Sequence, residues 1–268
     1  MNVAEQGVQA RLTFAIETAQ AAGAAGMAHF AAIDALKIER KGHQDMVSNA
    51  DREVEQLVRR AIGETFPDDG VIGEEFAETT GTSGYTWIID PIDGTANFVT
   101  GIPAWTVVLA CVSAERAEIG VICDPNADEI YSAARGAGAF LNGRPMRVSA
   151  SEGLHDGSLG VGFNGRVEQD LTARLIDLLV HEGGVFFRNA SGALMLAYVA
   201  AGRLIGYTEP HMNAWDCVAG MLMIEEAGGQ VWPVELATML AAGGPVIAAP
   251  PPVYGRLAEI SAEAYRLA

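Results

Sequence analysis

Between Gly70 and Gly143 the sequence consists of short apolar runs, and this stretch restricts the possible folds more than any other. The runs are rich in β-branched and aromatic residues, and Gly, Pro, Asn and Asp separate them: "GVIGEE", "YTWIID", "WTVVLACVSA", "EIGVIC", "EIYSAAR" and "GAFLNG". Connections this short leave no room for crossover helices, so we predict a mostly antiparallel sheet. Within it, Asn142-Gly143 is typical of a type I′ hairpin turn.

Helical patterns flank the predicted sheet on both sides. We predict a long helix within residues 4–36, an exposed loop over 37–45, and a second helix over 49–66. Ser48 or Asn49 would cap the second helix. After residue 150 we predict helices in 167–181, 191–201, 213–227 and 253–267, and strands in 184–188, 204–208, 229–232 and 245–249. The predicted organisation is an α+β half over residues 1–150, packed closely on an α/β half over 151–268.

The 268-residue chain carries a formal net charge of −17, which narrows the kinds of partner it can bind. This charge repels nucleic acids and anionic membranes, so we expect neither as a partner. A small anionic substrate would need metal ions that reverse the charge locally. The three widely spaced cysteines form no metal-binding motif and predict buried thiols in a reducing compartment. Because no signal peptide or long apolar run is evident, we expect a cytoplasmic protein.

Two carboxylates stand directly behind an apolar run in "WIIDPIDGTANF", residues 87–98. Asp90 and Asp93 would repel each other there and would be costly to ionise if partly buried. A hard divalent cation removes that cost, because carboxylate and carbonyl oxygens suit Mg²⁺. Gly94 lets an anion approach the backbone amides that follow it, so one stretch could supply metal ligands and a phosphate contact.

Other acidic residues also stand at the predicted ends of elements, and each has a structural alternative. Asp93 and Asp216 could be helix caps, and Asp51 could be a first-turn acid that the helix dipole favours. Glu209 could be a surface acid, and Glu74-Glu75 a solvated loop pair. Carboxylates that come from separate segments can instead converge on one cleft.

Together, "DPIDGTANF", the upstream "GEE" and the downstream "WDCVAG" resemble the inositol monophosphatase family of Mg²⁺-dependent, lithium-sensitive sugar phosphatases. The segments "VSNADREVE", "GVICDPNADEIYSAARGAGAFLNGRP" and "YVAAGRLIGYTEP" agree in order and spacing, so the resemblance covers residues 35–235. It implies an α+β fold of the inositol monophosphatase/fructose-1,6-bisphosphatase kind, a layered α-β-α-β-α sandwich. It also implies a homodimer that lithium inhibits.

The resemblance assigns metal ligands residue by residue. It implies that Glu74, Asp90 and the Ile92 carbonyl hold one Mg²⁺, and that Asp90, Asp93 and Asp216 hold a second. A third, weaker ion would bind near Glu74 through waters.

The resemblance also assigns the attacking water and a flap. Asp51 and Thr95 would orient and deprotonate the water, with help from Glu74. Lys41 would belong to a mobile flap that approaches the metal site. The substrate, at its phosphate end, would contact Asp93, Gly94, Thr95 and Asp216.

The implied contacts of the leaving group depart from the family pattern at one segment. The family's Gly-Ser/Thr-Ala segment reads Ala190-Ser191-Gly192-Ala193 here, so Ser191 and Gly192 remain substrate contacts and their hydrogen-bond pattern stays open. Glu209, seven residues before Asp216, fits the acid that contacts the polyol. Arg166 and Arg188 could either meet a second anionic group of the substrate or form buried structural pairs.

The resemblance leaves the substrate open. It implies a Mg²⁺-dependent phosphomonoesterase for a small polyol or sugar monophosphate, with inositol-1-phosphate as the first choice. Histidinol phosphate and fructose-1,6-bisphosphate are alternatives on the same scaffold. A 3′(2′),5′-bisphosphate nucleotide is less favoured, because no basic, aromatic base-binding segment is evident. A regulatory protein that keeps the fold as a scaffold is the alternative from a different functional class.

Overall fold

The structure is a computed structural model that describes residues 3–42, 45–165 and 167–267. Two large sheets alternate with three layers of helices. The first helical layer is α1 (Val3–Ala31) with α2 (Asn49–Thr65), the middle layer is α5 (Gly192–Ala200) with α6 (Ala214–Glu226), and the last is α4 (Gln169–His181) with α8 (Pro251–Tyr265). This order confirms the predicted α-β-α-β-α sandwich. None of the described helices combines the length and apolarity that crossing a membrane requires.

The first sheet has seven strands whose spatial order follows the chain. They are β3 (Gly70–Gly73), β4 (Thr86–Asp93), β5 (Thr106–Val112), β6 (Ala117–Asp124), β7 (Glu129–Ala134), β8 (Gly138–Leu141) and β9 (Arg144–Pro145). Every neighbouring pair is antiparallel except β3 and β4, as predicted for a mostly antiparallel sheet. Asn142 and Gly143 join β8 to β9 with φ angles of 48° and 73°, the positive values that a type I′ turn requires.

The second sheet has five strands in the order β11-β10-β12-β14-β13. They are β10 (Ser158–Val161), β11 (Val185–Phe187), β12 (Tyr207–Met212), β13 (Gln230–Val231) and β14 (Gly244–Ala249). Pairing of β10 with β11 and β12 is parallel, whereas β14 is antiparallel to both of its neighbours. The sequence analysis missed β10 and the helix α7 (Leu236–Ala242). It also predicted the strand over 204–208, whereas β12 begins at Tyr207. Leu204 and Ile205 are buried like strand residues, although they precede the residues that pair in the sheet.

Residues 37–39 are exposed as predicted, but the loop predicted over 37–45 is wrong, because this region contains a hairpin. A short 3₁₀ turn (Ile33–Ala35) leads from α1 into β1 (Ile38–Gly42), which pairs antiparallel with β2 (Asp45–Ser48). The hairpin forms a separate two-stranded sheet with mostly polar residues, so its sequence lacks the apolar alternation of a strand in the core. The backbone of Lys41 lies in β1, but its side chain lies outside the described residues, as does Arg166.

The middle helical layer packs very closely on the first sheet at Gly120 in β6. A Cβ at this position would lie 2.7 Å from the carbonyl oxygen of Ala219 and 2.9 Å from its Cα. The absence of a side chain therefore allows α6 to lie directly on the sheet. This contact matters for the site described below, because α6 carries Asp216 in its first turn.

Replacing Gly120 by alanine is expected to destabilise the protein, because neither backbone can move without separating α6 from β6. Overpacking of this kind costs about 1–3 kcal/mol. The control is Gly255→Ala in α8, where nothing lies within 4 Å of an added Cβ. Alanine there should stabilise the helix by about 0.5–1 kcal/mol. Urea unfolding measures both changes, and equal free energies of unfolding for the two variants would contradict the close contact.

Candidate active site

An extra residue in β4 places Asp90 and Asp93 on the same side of the sheet. Residues three apart on a regular strand face opposite sides. Here Asp90 pairs with Val108 and Asp93 pairs with Thr106, so β4 has two residues where β5 has one. This β-bulge turns both carboxylates toward the layer of α5 and α6, while Ile92 packs into the core on the other side.

Three carboxylates from two elements converge at the bulge. Oxygen atoms of Asp90, Asp93 and Asp216 all lie within 4.8 Å of one another. Burial raises the pKa of Asp90 well above its usual range, and the charges of Glu74, Asp93 and Asp216 raise it further. Burial and the charge of Asp216 raise the pKa of Asp93 to about 7, although hydrogen bonds oppose the shift.

The three converging carboxylates fit a hard divalent cation. Only 1% of Asp90 and 7% of Asp93 is exposed to solvent, so water cannot offset the repulsion between them. The donors are all oxygen atoms, which Mg²⁺ and similar hard ions prefer to nitrogen or sulfur. A bound cation would remove the repulsion that raises these pKa values. Glu74, at the end of β3, influences the pKa of Asp90 but is not one of the three converging carboxylates.

The start of α5 binds the carboxylate of Asp93. The Ser191 hydroxyl donates a short hydrogen bond to Oδ2, and the backbone amides of Gly192 and Ala193 donate at 3.2 and 3.0 Å. Ser191 and Gly192 were predicted as substrate contacts, and the structure places both directly against Asp93. Ala190, where the family pattern has glycine, adopts a left-handed conformation with φ of 64°. That conformation strains a residue with a Cβ by about 1–2 kcal/mol.

The predicted pair of Asp51 and Thr95 lies at the end of the bulged strand. Thr95 opens the short helix α3 (Thr95–Phe98), and its Oγ1 lies 3.1 Å from the carbonyl oxygen of Ile92 and 3.2 Å from Asp51 Oδ1. The other oxygen of Asp51 accepts hydrogen bonds from the backbone amide and hydroxyl of Ser48, which caps α2. Burial raises the pKa of Asp51. A buried carboxylate held at one oxygen can accept a proton at the other.

Gly94 is required between the bulge and α3. Its φ is 97°, and an added Cβ would lie 2.9 Å from the carbonyl oxygen of Ala104. Only glycine adopts this conformation without strain in such a confined space. The same tight turn brings the Gly94–Thr95 segment against Ser191, which lies 3.2 Å from the added Cβ.

Glu209 forms part of a pocket of about 140 Å³ beside the carboxylate group. It is buried in β12, so it is not the surface acid that the sequence allowed as an alternative. The Tyr207 hydroxyl donates a hydrogen bond to Oε2, and the Asn164 amide donates one to Oε1 at 2.8 Å. Burial raises the pKa of Glu209 to about 7. The pocket is lined by Asp93, Asn164, Arg188, Tyr207, Glu209 and Asp216, among others.

Asn164 and Tyr207 were not singled out from the sequence. Asn164 lies in the segment 151–166, which was expected to contact the leaving group, but no local pattern distinguishes it there. Tyr207 stands two residues before Glu209, so the alternation of a strand could have indicated that both face the same side. Neither position gives a signal for the hydrogen bond itself.

Comparisons with known proteins agree along nearly the whole chain. The model of the inositol monophosphatase family matches residues 8–266. The inositol-1-monophosphatase of Rhizobium meliloti is 40% identical over 203 residues, covering 75% of this chain and 76% of that protein. "Nus factor SuhB" of Haemophilus influenzae is 37% identical over 242 residues, covering 89% and 91%. The crystal structure of the extragenic suppressor protein suhB from Bartonella henselae aligns with a TM-score of 0.89 and 33% identity, covering 94% and 98%.

Divalent cations are expected to stabilise the protein more at high pH than at low pH. The folded pKa of Asp93 is about 7, against its usual 3.8, so without a cation this group stabilises the fold below pH 3.8 and loses that contribution as the pH rises through 7. A cation binds the ionised form and offsets the loss. The increase in Tm that Mg²⁺ causes should therefore grow between about pH 5 and pH 8. The Asp93→Asn variant lacks this ionisable group, so the increase in its Tm should depend less on pH. For the unmodified protein, an increase in Tm that stays constant with pH would contradict the prediction.

Proposed function

The chain belongs to the inositol monophosphatase family, and we propose that it is a Mg²⁺-dependent phosphomonoesterase for a small polyol or sugar monophosphate. The observation that carries this proposal is the group of Asp90, Asp93 and Asp216 at the β4 bulge. Asp93 and Asp216 line the pocket of Glu209, and the Ile92 carbonyl at the same bulge contacts Thr95. A water activated beside Asp51 and Thr95 could therefore attack a phosphate whose leaving group lies in the pocket.

Each part of the site would have a separate role. Asp90, Asp93 and Asp216, with Glu74 and the Ile92 carbonyl, would hold two or three Mg²⁺ ions. When bound, these ions supply positive charge to the phosphate and lower the pKa of nearby water.

The nucleophile and the leaving group would be handled by the chain itself. Asp51 Oδ1 would accept the proton of the attacking water, and the Thr95 hydroxyl would orient that water. The Gly94–Thr95 segment would contact the phosphate. On the opposite side, Glu209 would accept a hydrogen bond from a hydroxyl of the leaving group, with Tyr207 and Asn164 keeping its carboxylate in place.

We propose inositol-1-phosphate as the first substrate to test. The support is the similarity to the Rhizobium meliloti protein named inositol-1-monophosphatase. Histidinol phosphate remains an alternative, because a carboxylate such as Glu209 can bind an amine as well as a hydroxyl.

Arg188 favours fructose-1,6-bisphosphate as a further candidate. It lines the pocket, is exposed, and donates to the carbonyl oxygen of Phe163 at 3.1 Å. Among the described residues it forms no ion pair, so the buried structural pairing considered from the sequence is not present. An unpaired guanidinium at the rim of an acidic pocket could bind a second phosphate of the substrate.

A regulatory role is the candidate from a different class, and it rests on the relatives named "Nus factor SuhB". A protein that acts only as a scaffold does not need its metal ligands, yet this chain retains the complete carboxylate group. A phosphatase and a protein that is only a scaffold therefore make opposite predictions about turnover.

We also propose a cytoplasmic location, because Cys111, Cys123 and Cys217 are buried free thiols. Lithium inhibition is likewise a proposal.

The purified protein with Mg²⁺ should release phosphate from inositol-1-phosphate faster than from histidinol phosphate, fructose-1,6-bisphosphate or a 3′(2′),5′-bisphosphate nucleotide. Asp93→Asn should lower kcat by roughly 100-fold or more, because it removes a ligand charge, while circular dichroism shows an intact fold. Asp170→Asn, exposed in the first turn of α4, is the control and should retain activity. No release from any of the four substrates would favour the scaffold role, and an active Asp93→Asn variant would contradict the metal assignment.

We further propose a homodimer in which a second copy covers β11. This edge strand exposes Val185, Phe186 and Phe187 in succession, each between 37% and 61% exposed. Three adjacent exposed apolar residues on an unpaired edge favour association with another chain. A two-fold axis beside the strand would cover the same surface on both copies.

Phe186→Asp is expected to shift the protein from dimer to monomer, because it places a charge in the centre of the proposed contact. Size-exclusion chromatography with light scattering measures the mass of each form. Ile38→Asp, which replaces an exposed apolar strand residue in the hairpin of β1 and β2, is the control and should leave the mass unchanged. A monomeric unmodified protein, or a dimeric Phe186→Asp variant, would rule out this surface.

A further inference from the structure

The helix α2 carries a second buried carboxylate one turn after Asp51. Glu55 is fully buried, and its Oε1 accepts a hydrogen bond from Arg59 Nε at 2.7 Å. Its other oxygen, Oε2, accepts from the backbone amide of Glu75 at 2.8 Å. Residues four apart on a helix lie on the same face. Asp51 and Glu55 are therefore fixed relative to each other by the helix itself.

Arg59 contacts Phe76, the residue that follows Glu75. Its Nη2 donates to the carbonyl oxygen of Phe76 at 3.2 Å, and its guanidinium carbon lies 5.9 Å from the centre of the Phe76 ring. Together, Glu55 and Arg59 hold two consecutive residues of the backbone, one by its amide and the next by its carbonyl. Both residues directly follow Glu74 in the sequence.

Gly73 shows that the end of β3 is shaped around this ion pair. A Cβ at Gly73 would lie 2.1 Å from Glu55 Oε1 and 2.5 Å from its Cδ. Any side chain at this position would displace the Glu55 carboxylate. The glycine that precedes Glu74 therefore leaves the space that the carboxylate occupies between α2 and the end of the strand.

We propose that Glu55 and Arg59 are positioning residues that fix Glu74 relative to Asp51 and Asp90. The inference rests on the proposed function, in which Glu74 binds a cation and Asp51 accepts a proton from water. The ion pair ties the segment after Glu74 to the same helix that carries Asp51. Loosening it would let Glu74 move away from Asp90 while the three converging carboxylates stay in place.

The variant Glu55→Gln tests this role. Glutamine keeps an oxygen that can accept from the Glu75 amide but removes the charge that orients Arg59. Loss of an indirect contact of this kind typically weakens metal affinity or activity by about 10–100-fold. We expect weaker Mn²⁺ binding by calorimetry without substrate, a kcat at least about tenfold lower, and a KM that changes little. Hydrogen exchange of the metal-free protein should show faster exchange over residues 74–76.

Two further variants separate positioning from a general loss of stability. Glu64 is exposed on the same helix, so Glu64→Gln is the control and should match the unmodified protein in metal affinity and kcat. Glu55→Gln combined with Arg59→Gln removes both charges of the ion pair. It should recover stability to urea relative to Glu55→Gln without recovering metal affinity. Recovery of both together would show a merely structural role and overturn the inference.

The outcomes also distinguish this inference from the proposed function. If the unmodified protein hydrolyses phosphate and Glu55→Gln matches it in Mn²⁺ affinity, kcat and exchange, the inference is wrong and the proposed function stands. If the unmodified protein hydrolyses none of the phosphates, the proposed function fails. Metal affinity and hydrogen exchange then still decide whether Glu55 positions the segment that contains Glu74.

Discussion

A regular strand would hold Asp90 and Asp93 on opposite sides of the sheet, and the extra residue in β4 is what brings them together. The bulge has two consequences that extend beyond the pair. It directs Ile92 into the core beneath α1 and α2, and it brings the carbonyl oxygen of the same residue within 3.1 Å of Thr95 Oγ1. Ile92 therefore connects the two faces of the sheet. Asp90 and Asp93 lie on one face, and Asp51 contacts Thr95 from the helices on the other face.

The middle layer of helices makes this arrangement possible in an otherwise apolar core. The first turns of α5 and α6 both lie at the carboxylate group: the amides of Gly192 and Ala193 donate to Asp93, and Asp216 accepts from the amide of Asn213. Helix starts stabilise negative charge, because their amides have no partners within the helix. The close packing of α6 on Gly120 keeps one of these starts in place. The fold thus supplies partial positive charge where its own acidic residues converge.

Sequence patterns were sufficient for most elements and for singling out the acidic residues, whereas the layers and the ligand assignments came from the family resemblance. They succeeded where the signal is local, as in the amphipathic α2, the Asn142-Gly143 turn and the acidic residues beside apolar runs. They failed where the local sequence does not distinguish the feature from a commoner one. The hairpin of β1 and β2 has no apolar alternation, and the ion pair of Glu55 with Arg59 has a helical spacing that usually indicates a solvated face. The bulge itself depends on the register with β5, which no pattern within β4 reveals.

Two pairs of buried carboxylates in this protein differ in the charges that surround them. Asp69 and Glu55 are paired with arginine at 2.7 Å, from Arg11 and Arg59, and each also accepts a hydrogen bond from a neighbouring segment. Asp90 and Asp93 are equally buried, yet among the described side chains their charged neighbours are other acids. This difference favours a cation from solution as the partner of Asp90 and Asp93. If the proposed function holds, the same cations would let a protein with a net charge of −17 bind a phosphate.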